Sequence, residues 1–179
     1  MSRVSVRLCI AALVLVGGIH AQAQMGPPAP APELKKLDFL VGDWTAEGTM
    51  NPAPGFPGGK FTSSDHLEWM QGSFFLVSNG TFDFASMGKG KNLAVFGYDS
   101  DRKVYTYTEF NSMGEADVST GTVDGNTWTW TSDEHMGGMT MKGRFTMKVL
   151  SPTSYTMKFE LSPDGNTWNT GMEGKATKK

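Results

Sequence analysis

The chain has 179 residues, a formal charge of −2 at neutral pH and 19% charged residues, which bounds it to one domain with a sizeable core. It has no basic patch of the kind nucleic acid requires, and with one cysteine it has no disulfide framework.

Arg3 and Arg7 form a basic start, Leu8 to Ile19 is a short apolar run, and Ala21-Gln22-Ala23 offers small residues to a signal peptidase. Residues 1–23 therefore read as a signal peptide cleaved after Ala23, and the destination as secreted or periplasmic. Cys9 lies inside the apolar run, so a lipid anchor on a cysteine after that run is not expected. Loss of Arg3 and Arg7 takes the charge from −2 to −4. There is no second apolar run, and no membrane anchor is expected. Residues 24–32, with Pro27, Pro28, Pro30 and Pro32, read as an extended linker.

The domain is expected over 33–179. Leu34, Leu37, Phe39 and Leu40 have helical spacing over about two turns, which predicts a short helix capping one end of a barrel. From Trp44 onward the signals are of strands. Trp44, Ala46, Gly48 and Met50 alternate with polar residues. After a loop at 51–59, Phe61, Ser63, Asp65, Leu67 and Trp69 share a face. Further strands are predicted at 74–84, 93–98, 104–110, 116–123 and 127–131, with Asp124-Gly125-Asn126 as a hairpin signal. Met139, Met141, Phe145, Met147 and Val149 then alternate with threonine and basic residues. Tyr155, Met157, Phe159 and Leu161 do the same, and Trp168 to Met172 ends the pattern. Lys175, Lys178 and Lys179 read as a solvated tail. The sum is an all-β chain of about ten strands, most economically an antiparallel up-and-down barrel, whose closure removes exposed edges; a two-sheet sandwich is the alternative.

Gly42-Asp43-Trp44, at the head of the first strand after a short helix, resembles the glycine-x-tryptophan signature of lipocalins and the wider calycin group. Phe39 to Gly48, Glu68 to Phe75, and Gly97-Tyr98-Asp99 through Met113-Gly114 resemble a bacterial family of unknown function, domain of unknown function 1579, placed with calycin-like barrels. The resemblance implies a fold. Nitrobindin-like proteins share the opening and hold haem through a late histidine; here there is no histidine after His135, so no haem site is carried over. Lipocalins place a late arginine over the signature tryptophan. Arg144 is the only late arginine, and its alternation sets it on the outer face.

Three groups of residues carry candidate chemistry. Trp69, Phe74, Trp128, Trp130, Met139, Met141, Phe145, Met147, Tyr155, Met157 and Phe159, with Trp168, read as the lining of an interior that holds a small apolar ligand, or else as a filled core. Gly143, which adds no side chain midway along its strand, is expected to leave space there. His135, Met136 and Met139 offer soft ligands to cuprous copper, or form a glycine-rich turn with core methionines; no metal site is assigned. Asp65 and Glu109 share faces with apolar neighbours, so either is a candidate acid, with Asp65 expected near a strand end in reach of water. His66 points away from Asp65.

Other templates fail on inventory: no mature thiol, two mature histidines, no nucleophile elbow and no phosphate loop. The expectation is a secreted calycin-like barrel that binds a small apolar or amphipathic ligand without catalysis or a cofactor. The alternatives are a filled barrel acting as a structural or interaction protein, and an enzyme using a carboxylate at the barrel mouth.

Overall fold

The computed structural model describes residues 28–179 apart from 54–56, 86 and 137. The expected signal peptide at 1–23 and the first part of the expected linker lie outside the described residues. A 3₁₀ helix at Pro32–Leu40 leads into ten strands: β1 Gly42–Met50, β2 Gly59–Trp69, β3 Leu76–Phe84, β4 Gly88–Asp99, β5 Val104–Asn111, β6 Ala116–Asp124, β7 Thr127–Met136, β8 Met139–Ser151, β9 Ser154–Ser162 and β10 Asn169–Lys178. Each strand pairs antiparallel with its sequence neighbours, and β1 pairs with β10 from Trp44↔Lys178 to Met50↔Met172, which closes the barrel. The up-and-down barrel stands, and the sandwich does not.

The lead-in is helical with a period of three. Leu34, Leu37 and Leu40 recur at that spacing, so a 3₁₀ helix sets all three on one buried face. Pro32 suits the first turn, where no amide partner is needed. The helix plugs one end of the barrel, and four barrel side chains donate to it. Trp44 Nε1 reaches the Leu40 carbonyl (2.7 Å), Tyr105 Oη the Glu33 carbonyl (2.9 Å), Lys178 Nζ the Phe39 carbonyl (3.1 Å) and Trp69 Nε1 the Asp38 carboxylate (2.9 Å). The Phe39 and Leu40 carbonyls, at the end of the helix where intrahelical partners run out, thus find donors in the barrel.

Lys178 corrects the expectation of a solvated tail. It belongs to β10, and its ammonium lies 5.6 Å from the centre of the Trp44 ring. It stands over the signature tryptophan, whereas Arg144 sits on the outer wall, 2.8 Å from Glu160 and stacked 3.9 Å over Trp168. Gly42 lets the chain turn into β1 with φ of 115°, and a side chain there would press on the stem of Lys178.

At the β1–β10 seam the two backbones lie close together. Ala46 faces Ala176 and Gly48 faces Gly174, with the Phe61 ring lying across the glycine pair. Small residues let the two backbones approach where larger ones would hold them apart.

Candidate functional site

With the helix at one end, the interior is reached from the other. A cavity of about 320 Å³ lies inside the barrel, and its lining divides into two sectors. Strands β8 to β10 contribute Phe145, Met147, Tyr155, Met157, Phe159 and Met172. Strands β2 to β7 contribute Ser63, Asp65, Ser78, Asn92, Tyr107, Glu109, Asp117, Ser119 and Ser132, with Phe82, Phe84, Phe96 and Trp130 among them.

Of the residues expected to line the interior, Trp130, Phe145, Met147, Tyr155, Met157 and Phe159 do so. The others sit elsewhere. Trp69 closes the helix end through Asp38, and Trp128 is packed in the core against Phe39 and Tyr105. Phe74 precedes β3, in the turn after β2. Met139 is 64% exposed because β8 begins beyond the rim, and Met141 is half-buried without reaching the cavity. Trp168 lies before β10 under Arg144. Gly143 does not leave a void: a Cβ there would stand 2.5 Å from Ser132 Oγ and 2.7 Å from Glu134 Oε1, which already fill the place.

Asp65 corrects a second expectation. It lies in mid-strand opposite Trp44 on β1 and Gly80 on β3, and it faces the cavity. Its carboxylate accepts from Ser63 Oγ (2.9 Å) and Ser78 Oγ (3.5 Å). Gly80 makes the arrangement possible, since a Cβ there would fall 2.1 Å from Asp65 Oδ1 and 2.3 Å from Asn92 Oδ1. Glu109 accepts from Asn92 Nδ2 (3.4 Å) and from the Tyr107 hydroxyl, and Asp117, opposite Glu109, accepts from Ser119 Oγ (3.1 Å). His66 points outward to Asp43, at 2.8 Å, as its parity requires.

The wall has a gap beside these acids. The β6–β7 ladder runs only from Asp124↔Thr127 to Thr120↔Thr131, so the remaining ends of both strands diverge. One groove there is lined both by outward residues (Val118, Thr120, Thr131, Asp133) and by Glu109, Asp117 and Ser132, which also line the cavity. A groove that mixes the two faces of a sheet is an opening through it.

Burial raises the carboxyls of Asp65, Glu109 and Asp117 above their ordinary values of 3.8, 4.5 and 3.8, because desolvation penalises the charged form; hydroxyl and amide donors offset this only in part. A carboxyl raised in the folded state holds a proton that the unfolded chain releases. Its stabilising contribution is therefore full below the unfolded value and lost as pH rises through the folded one. Asp65→Asn, which stays neutral, is expected to melt higher than wild type at about pH 8 and to lose that advantage at about pH 4. Melting curves of both proteins across that range test it, and an advantage independent of pH would refute it.

His135 bonds Thr140 Oγ1 (3.0 Å), and Met139 faces solvent. The Met136 side chain lies outside the described residues. Among the described residues no three of His, Cys, Asp and Glu gather as a metal would need, and no helix is long and apolar enough to cross a membrane.

The ten strands define a closed antiparallel barrel around an interior cavity. The chain belongs to the family described as Protein of unknown function (DUF1579), whose profile matches residues 29–178. No curated protein matches it. Among solved structures it is similar to Rv2717c from M. tuberculosis, at 13% identity and TM-score 0.58 over 84% of this chain and 99% of that one. It is also similar to the S-type phycobiliprotein lyase CPES from Guillardia theta, at 9% identity and TM-score 0.51 over 81% of this chain and 91% of that one. At these identities the likeness is one of fold.

Proposed function

We propose that this chain is a secreted or periplasmic barrel that binds a small apolar or amphipathic molecule in its interior. The observation that carries the reading is the cavity of about 320 Å³, closed by the helix at one end and lined by aromatic rings and methionines with a few polar groups. A filled interior, the alternative for a small barrel, packs to crystal-like density and leaves few voids larger than a water molecule. Export is supported by the basic start, apolar run and Ala21-Gln22-Ala23 of the first 23 residues.

Titration with N-phenyl-1-naphthylamine, an uncharged aromatic probe, tests the reading. Saturable uptake is expected, with a change in tryptophan emission because Trp44 and Trp130 line the cavity. Ser63→Phe sets a ring in the same space and is expected to weaken uptake about tenfold or more, with a loss of about 1–3 kcal/mol in stability because Asp65 loses a donor. No uptake by the wild-type protein would leave the filled barrel as the better account.

A second reading, acid–base catalysis by Asp65 or Glu109, draws on their raised carboxyls and on the Tyr107–Glu109 hydrogen bond. The relative titled a lyase points the same way, weakly. Mass spectrometry of a guest co-purified from the native host, before and after incubation with fresh protein, separates the two: binding returns it unchanged.

A further inference from the structure

We propose that the guest of this cavity is an organic cation, an ammonium or guanidinium head on a small aromatic or aliphatic body. The proposal rests on the binding reading above and names the class of ligand.

Charge comes first. Asp65, Glu109 and Asp117 line the cavity, and among the described residues no lysine, arginine or histidine does. None of the three has an ion-pair partner among the described residues; each is met by neutral hydroxyls or an amide. Unpaired carboxylates are costly in such a place, and a cation brought in by a guest would meet them. The rim adds to the field, since Glu115 and Glu134 flank the gap between β6 and β7. Lys142, near that gap, is engaged outside with Asp133 at 2.6 Å.

A second, independent observation concerns Tyr155. Its ring lies in the wall, 5.0 Å from that of Trp44, and it lines the cavity, yet among the described residues its hydroxyl has no hydrogen-bond partner. A buried hydroxyl normally finds one, so this one is available to a guest. Elsewhere the lining presents the Trp44, Trp130 and Phe96 rings, surfaces that attract a desolvated cation. The acids do not gather at one point as a metal ion would need. An anionic amphiphile such as a fatty acid would bring like charge to all three.

Isothermal titration calorimetry at about pH 8 with three probes sharing one body separates the possibilities: 1-naphthylmethylamine, 1-naphthalenemethanol and 1-naphthoic acid. The amine is expected to bind about tenfold or more tighter than the alcohol, and the acid more weakly than either. Glu109→Gln and Asp117→Asn are expected to narrow the amine-to-alcohol ratio. If the alcohol binds and the amine binds no tighter, or if the acid binds tightest, the cation is overturned and the binding barrel stands. If no probe binds, the binding reading itself fails and takes the proposal with it.

Discussion

Gly48→Val is expected to unseat the closure of the barrel and cost more than about 3 kcal/mol, beyond ordinary overpacking. A Cβ at this position would stand 2.1 Å from the Glu173 carbonyl oxygen, 2.6 Å from Gly174 Cα and 2.5 Å from the Phe61 ring. A flexible side chain could swing away from such a clash. Two of these three atoms are backbone of the partner strand, so relief requires β1 and β10 to separate. The row of pairs from Trp44↔Lys178 to Met50↔Met172 would then be lost or displaced. Urea unfolding with far-ultraviolet dichroism as the readout gives the cost, and a midpoint equal to that of wild type would show that the seam tolerates a side chain.

Trp44→Ala is expected to cost about 3–5 kcal/mol, as other large core truncations do. The ring is 2% exposed, meets Phe39 edge-on at 6.5 Å and lies 5.0 Å from Tyr155. Its removal also leaves the Leu40 carbonyl without the indole donor. Trp44→Phe keeps most of the apolar contact and loses the hydrogen bond, so its cost is expected to be smaller, about 1–3 kcal/mol. Equal effects of the two variants would mean that the hydrogen bond, rather than the packing, holds the helix on the barrel end.

The fold was legible where apolar and polar residues alternate. Met139 to Val149 and Tyr155 to Leu161 identify β8 and β9, and Trp44 to Met50 identifies β1. Strand ends were missed where the inward positions are not apolar. β10 runs on to Lys178, but its inward residues there are Gly174 and Ala176, which give no alternation. β7 runs on to Met136 with Ser132 and Glu134 facing in, and β4 begins at Gly88 with Gly90 and Asn92 on the inward side.

The missed parts of β4 and β7 border the polar half of the cavity, so the pattern that finds a barrel's apolar walls passes over the part that distinguishes this one. Asp65 shows the same limit. Parity put it on the inward face, while the rarity of buried carboxylates argued for a strand end. Its neighbours decide the matter: Gly80 clears the space, and Ser63 and Ser78 supply the donors. Asn92 becomes visible only once the register sets it across Gly80 from Asp65, and Asp117 and Ser119 once it sets them opposite Glu109 and Tyr107.

The plug formed by Pro32–Leu40 has a consequence for traffic. Four barrel side chains fasten it, and its three leucines are buried, so that end does not open without breaking all of these contacts together. The barrel is a cup rather than a pipe. Under the binding reading, a guest would enter and leave by the same doorway, at the rim where β6 and β7 part.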